Sequence, residues 1–146
     1  MIEFDVFHPS RPGIRKILGE LEAEIMEYVW LTYRGGEAIA VRDVYEELHR
    51  RRNLAYTTVM STMARLARKG MLEVDTGKQA YTYRPRVSQD ELVKSIVAHV
   101  VGSLMLNFEG ETRSFIRDVG AEDTDSATAR ENLGGQIRER KWRSQP

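Results

Sequence analysis

From Leu18 to Tyr33 the apolar residues recur at helical spacing: Leu18, Leu21, Ile25, Met26, Val29, Trp30 and Tyr33 share one stripe, with Glu20, Glu22, Glu24 and Glu27 opposite. This pattern predicts a first helix, stopped by Arg34, Gly35 and Gly36. Ile39 to Val41 is apolar and predicts a short strand. Val41, Val44, Tyr45 and Leu48 then mark a second helix to about Arg52, whose start has Ala40 where Ser, Thr or Asp would cap it. After a short connection at Asn53 and Leu54, residues 54–70, LAYTTVMSTMARLARKG, predict a third helix that Gly70 ends. Beyond Gly70 the period changes to two: Met71, Leu72 and Val74, a turn at Thr76 and Gly77, then Tyr81 and Tyr83 alternating with Thr82 and Arg84 up to Pro85.

Helix, strand, helix, short turn, helix and hairpin is the order of a winged helix-turn-helix, with the third helix as reader and the hairpin as wing. A new unit opens at Ser88 with SQDE, a capping box joining Ser88 to Glu91. The helix behind it carries a broad apolar face of Leu92, Val93, Ile96, Val97, Val100, Val101, Leu104 and Met105, too apolar to stand alone in water. It must pack on the winged domain or on a second copy of itself. Further helices are expected over 111–119 (Phe115, Ile116, Val119) and 124–141 (Ala127, Leu133, Ile137), the latter weakened by Gly134 and Gly135. The fold expected is mainly α with a small β-hairpin. Residues 1–17, with Pro9, Pro12 and Gly13, form an extended arm, 18–86 a winged-helix DNA-binding domain and 87–146 a helical dimerisation unit.

Composition adds mainly through charge. The net charge of the 146 residues is formally zero, but residues 48–86 carry nine Lys/Arg against two Asp/Glu, while residues 1–47 carry five against ten and residues 87–146 eight against ten. A basic middle between acidic ends attracts phosphates locally. In the third helix Val59, Met60, Met63, Leu66 and Ala67 would face a core, leaving Thr57, Thr58, Ser61, Thr62, Arg65, Arg68 and Lys69 outside with no carboxylate among them. An ordinary solvated helix mixes Glu with Lys, so a face of donors without acids suits a polyanion. Short hydroxyl side chains also let a helix lie deep in a major groove.

On that reading Thr57, Thr58, Ser61, Thr62 and Arg65 are the readers of base edges, Arg65 being suited to guanine. Arg50, Arg51, Arg52, Tyr56, Lys69 and Lys78 meet phosphates. A plainer account, that Arg50 to Arg52 are a solvated helix end, explains three of the nine cations and neither the acid-free face nor Lys78 at the hairpin tip. Tyr56, Tyr81 and Tyr83 admit a second role, packing the hairpin on the third helix with their hydroxyls outward.

Catalysis finds no motif. His8, His49 and His99 lie far apart in the sequence, and HExxH, GxSxG and Gly-rich phosphate loops are missing. His99 reads as a structural or interface residue, and no enzyme activity, cofactor or metal is expected. With no cysteine, disulfides and thiolate metal sites are excluded. The N-terminal residues carry no signal-peptide pattern and no apolar run is long enough to span a bilayer, so a cytoplasmic protein is expected.

These residues resemble the penicillinase repressor family, the repressors of β-lactamase and methicillin-resistance genes. The likeness rests on LGELEAEIMEYVW at 18–30, VRDVYEELHRRRNLAYTTVMSTMARLARKGML at 41–72 and YTYRP at 81–85, and covers residues 18 to about 108. It implies a homodimeric repressor that binds a palindromic operator through paired winged helices, with C-terminal helices forming the dimer. SLMLNF, 103–108, is similar to the segment where a membrane-bound sensor protease signal leads to cleavage, which would place the cut between Asn107 and Phe108. The alternative there is a plain helix end, Asn107 as a left-handed cap and Phe108 closing a hydrophobic contact. Copper-responsive relatives carry C-terminal cysteine pairs, which this chain lacks. Two other functions fit the pattern less well: a winged helix used to dock proteins, whose binding would lack steep salt dependence, and a regulator gated by a small molecule in the C-terminal unit.

Overall fold

The structure, a computed structural model, describes residues 2, 6–75, 77 and 81–121. Lys78 and the helix expected over 124–141 lie outside the described residues. The chain divides into two compact units, one of residues 1–8 and 12–95, the other of 9–11 and 96–146.

The first unit is mainly helical with a three-stranded antiparallel sheet. Helix α1 (Glu20–Thr32) begins with Glu20 and Glu22 in its first turn, where carboxylates suit the helix dipole. Ala23, Ile25, Met26 and Val29 form its buried stripe. Gly35, at φ +80°, then turns the chain into β1 (Ile39–Ala40). Helix α2 (Val41–Arg51) follows at once, buried at Val41, Val44 and Leu48. Ala40 gives it no side-chain cap. The sheet fixes the start instead: Ala40 pairs with Thr82, and the Val41 amide donates to the Tyr81 carbonyl at 3.3 Å.

Helix α3 (Tyr56–Arg68) ends in a Schellman arrangement. Gly70 takes φ +83°, its amide donates to the Ala67 carbonyl at 3.1 Å, and the Met71 amide donates to the Leu66 carbonyl at 3.0 Å. Leu66 and Met71, the residues such an end brings together, are both fully buried. Strands β2 (Leu72–Val74) and β3 (Thr82–Pro85) form the hairpin, with Val74 opposite Tyr83, and β3 lies between β1 and β2. The core combines Ile25, Met26 and Val29 of α1, Val44 and Leu48 of α2, Val59, Met63 and Leu66 of α3, and Leu72 and Tyr83 of the sheet.

The arm expected over 1–17 is shorter than expected. Gly13–Lys16 is a 3₁₀ turn, and Ile14 and Ile17 are buried. Arg15 holds the turn by donating to Glu20 at 2.9 Å and Glu27 at 2.7 Å on α1. One turn of 3₁₀ helix has no period to read, so only tertiary burial reveals it.

Helix α4 (Gln89–Asn107) opens on the expected capping box. The Ser88 amide donates to Glu91 Oε2 at 2.8 Å, and the Glu91 amide donates to Ser88 Oγ at 3.1 Å. Ahead of it, Trp30 Nε1 donates to the Val87 carbonyl at 2.8 Å and ties the segment before α4 to α1. In the second unit α5 (Glu109–Ala121) follows α4 after Phe108 and has no buried residue. Among the described residues no helix is long and apolar enough to cross a membrane.

Candidate nucleic-acid interface

Helix α3 divides its residues by angle more strictly than by chemistry. Val59, Thr62, Met63 and Leu66 are buried at spacings of three, four and seven, the stripe a helix turns to its core. Thr57, Thr58, Ser61, Arg65 and Arg68 are exposed. Thr62 is therefore removed from the base readers: it is 3% exposed, and its Oγ1 donates to the Thr58 carbonyl at 2.7 Å. Its hydroxyl suggested the outer face, but its angular position lies inside the apolar stripe. Ser61 Oγ donates to the same carbonyl at 3.1 Å from the exposed side.

The basic residues separate into three groups. Lys69 Nζ meets Glu22 Oε2 at 2.7 Å, and both side chains are mostly covered. This overturns Lys69 as a phosphate contact, since the ammonium compensates a carboxylate that would otherwise be stranded in the fold. Arg52 lies 3.0 Å from Glu24, and Arg84 lies 3.2 Å from Asp75 in the hairpin. Arg50 and Arg51 both lean on Glu47, at 3.3 and 3.1 Å, with mostly exposed side chains. Such surface pairs are worth little and can be exchanged for a phosphate. Arg65 and Arg68 carry no ion pair among the described residues.

Tyr56 is 42% exposed at the start of α3, its ring edge-on to Tyr45 at 5.5 Å. Tyr45 in turn lies 5.0 Å from the ring of His49. His49 Nδ1 donates to the Leu54 carbonyl at 3.2 Å, the only sense open to a carbonyl acceptor, and so fixes the turn between α2 and α3. Sequence reasoning missed Tyr45 and His49. The signal was present in their i, i+4 spacing on α2, just ahead of a turn with no Gly or Pro to shape it. Of the two hairpin tyrosines, Tyr83 is buried, which pushes its phenol above the usual range, whereas Tyr81 is 64% exposed. A shared packing role for Tyr56, Tyr81 and Tyr83 does not hold.

The apolar set of α4 also divides. Leu92 and Ile96 are buried within the single chain, so they are not available to a partner. Val93, Val97 and Leu104 are 43–55% exposed, and Val100, Val101 and Met105 are half-buried. At the end of α4, Asn107 Nδ2 donates to the Ser103 carbonyl at 3.1 Å and the Phe108 amide donates to the Leu104 carbonyl at 2.7 Å. Asn107 is not left-handed, and Phe108 is 58% exposed, so the expected cap and hydrophobic closure are both missing there. Among the described residues no cluster of His, Asp and Glu could hold a metal ion.

A three-helix core, a β-hairpin wing and an exposed third helix with hydroxyls and arginines define the winged-helix class of transcriptional regulators. A model of the penicillinase repressor family matches residues 18–137. The transcriptional regulator BlaI of Mycobacterium tuberculosis, from strain CDC 1551 / Oshkosh and from strain ATCC 25618 / H37Rv, is 35% identical over 114 residues, 75% of this chain and 78% of the relative. The chain belongs to the penicillinase repressor family of transcriptional repressors.

Proposed function

We propose that this repressor binds a two-fold operator as a homodimer and blocks a promoter. The observation that carries the proposal is the outer face of α3, where Thr57, Thr58, Ser61, Arg65 and Arg68 are exposed and no carboxylate competes. Arg65 is the reader of guanine, because its planar fork matches the N7 and O6 acceptors and no internal carboxylate holds it. Thr57, Thr58 and Ser61 read the neighbouring bases. Arg50, Arg51, Tyr56 and Arg68 contact phosphates and give affinity without sequence information. The exposed residues of α4 and α5 join two copies, so that one reader helix holds the other near its half-site.

Derepression follows from any event that separates the copies. Cleavage between Asn107 and Phe108, triggered by a membrane-bound sensor protease, would act there, and the exposed Phe108 leaves the bond accessible.

The test is fluorescence anisotropy of the full chain on DNA from upstream of its own gene and on scrambled DNA, across a salt series. Tight, salt-sensitive binding that prefers the upstream DNA is expected. Arg65→Ala should weaken that specific complex by about 1–3 kcal/mol and the scrambled complex far less. No binding to either DNA at low salt, from a folded dimer, would sink the proposal. Equal losses on both DNAs would remove Arg65 from the readers.

A further inference from the structure

We infer that Trp30 is a positioning residue for the pair of reader helices: its indole fixes the direction in which α4 leaves the winged unit, and so selects the spacing between the two half-sites. The inference rests on the dimeric DNA reading above and adds the residue that sets its geometry.

The link from the wing to α4 is three residues, Arg86, Val87 and Ser88, with no glycine among them. The Arg86 amide donates to the Met71 carbonyl at 2.9 Å, and the Ser88 amide belongs to the capping box of α4. Val87 stands outside both elements. The ladder of α4 begins one residue later, with the Leu92 amide on the Ser88 carbonyl at 3.0 Å, which leaves the Val87 carbonyl open to another donor. Trp30 Nε1 supplies that donor at 2.8 Å, across 57 residues of sequence. An indole nitrogen only donates, so the pairing has one sense. Leu92, with no exposed surface, seats the first turn of α4 in the winged unit. One buried side chain is a pivot; the Trp30 bond is a second point, and two points set a direction. Trp30, Tyr33, Pro85 and Val87 line a surface cleft at this junction, so packing alone does not close it.

Helix α4 runs unbroken for 19 residues, a length of about 28 Å. A tilt of about 10° at its root moves the far end by about 5 Å, more than one base step of about 3.4 Å. Because the copies join through α4 and α5, such a tilt falls on the distance between the two reader helices. To fit half-sites one base pair too close or too far, wild type has to give up the Trp30 bond. A chain without that bond starts with the cost removed, so it discriminates less between spacings.

The experiment first selects half-sites from a randomised pool with the full wild-type chain. Duplexes carrying one half-site, or two at the selected spacing and at one and two base pairs to either side, are then titrated by fluorescence anisotropy. Trp30→Phe keeps an apolar ring and deletes the donor. Replacement of Trp30 by benzothienylalanine keeps the two-ring shape and exchanges only the N–H for sulfur, and it carries the test if Trp30→Phe does not fold. Wild type should prefer the selected spacing. Both replacements should narrow that preference roughly threefold to tenfold, the worth of one hydrogen bond, with affinity for the single half-site as in wild type. A spacing profile identical to wild type would overturn the inference. So would an equal loss on every duplex, the single half-site included, which is what damage to the winged unit alone would give. A wild type that holds two half-sites no more tightly than one overturns the dimeric reading itself, and the inference with it.

Discussion

Thr62→Val keeps a β-branched side chain in the apolar stripe of α3 and deletes only a hydroxyl bonded to its own helix. The Thr58 carbonyl retains other donors, so the expected change in stability is within about 1 kcal/mol, and affinity for operator DNA should not move. A loss of DNA specificity in the folded variant would return Thr62 to the readers. Lys69→Met behaves differently, because it leaves Glu22, whose side chain is only 10% exposed, without its cation. Urea denaturation should show a loss of about 1–3 kcal/mol, with much of it recovered when Glu22→Gln is added. A cycle with no coupling would show that the pair is incidental. Glu20 supplies a pH dependence. The hydrogen bond from Arg15 holds its carboxyl below the usual 4.5, against the opposing effect of burial. A group lowered on folding contributes stability above its unfolded value and loses it as pH falls through the folded one. The contribution of this pair should therefore be intact at neutral pH and be lost only in acid below about 4.5, loosening the 3₁₀ turn slightly while Glu27 still holds Arg15, visible as a modest rise in amide exchange at Ile17 and Leu18. Opening at higher pH would assign the turn's anchorage to something other than this pair.

At the level of elements, periodicity made the long helices legible and failed where burial or pairing sets the boundary. The stripes Ile25, Met26, Val29 and Val59, Met63, Leu66 were readable because a helix that buries one face must repeat near 3.6 residues. Gly70 was readable as a stop because a left-handed end favours glycine. The start of α2 at Val41 was legible from its stripe although Ala40 caps nothing, but the contact that fixes it, the Val41 amide on the Tyr81 carbonyl, was not; the start of α3 was less sharp, since Ala55 carries no capping oxygen. The candidate site was legible in its residue types and less so in its pairings. Lys69 and Arg52 look free in sequence because Glu22 and Glu24 stand far ahead of them on α1. The capping box at Ser88 is the opposite case, a local signal met by a local structure. Ser88→Ala should cost about 0.5–2 kcal/mol, with fraying confined to the first turn of α4 in amide exchange. Protection unchanged at Glu91 and Leu92 would show that the cap is dispensable.

For the whole molecule the decisive feature is the apolar surface exposed among the described residues of α4 and α5. Val97 is 55% exposed, Leu104 43%, Phe115 45% and Ile116 51%, on two successive helices, one of which has no buried residue. Scattered apolar residues are normal on a surface, but a concentration of this kind is what the proposed contact between two copies requires. If a second copy covers it, placing a charge there should separate the copies without unfolding the winged domain, whose core lies in other residues. Val97→Glu with Leu104→Glu is therefore expected to convert the protein to a monomer in sedimentation while the thermal transition of the first unit remains. On DNA the effect should depend on the site. Affinity for a single half-site should be nearly unchanged, because α3 is untouched, whereas affinity for the full operator should fall by up to about 10²–10⁴, the factor that linkage of two binding events supplies. A variant that stays dimeric would place the interface elsewhere. A monomer that holds the full operator as tightly as wild type would show that each winged domain binds alone, and separation of the copies could not then release a promoter.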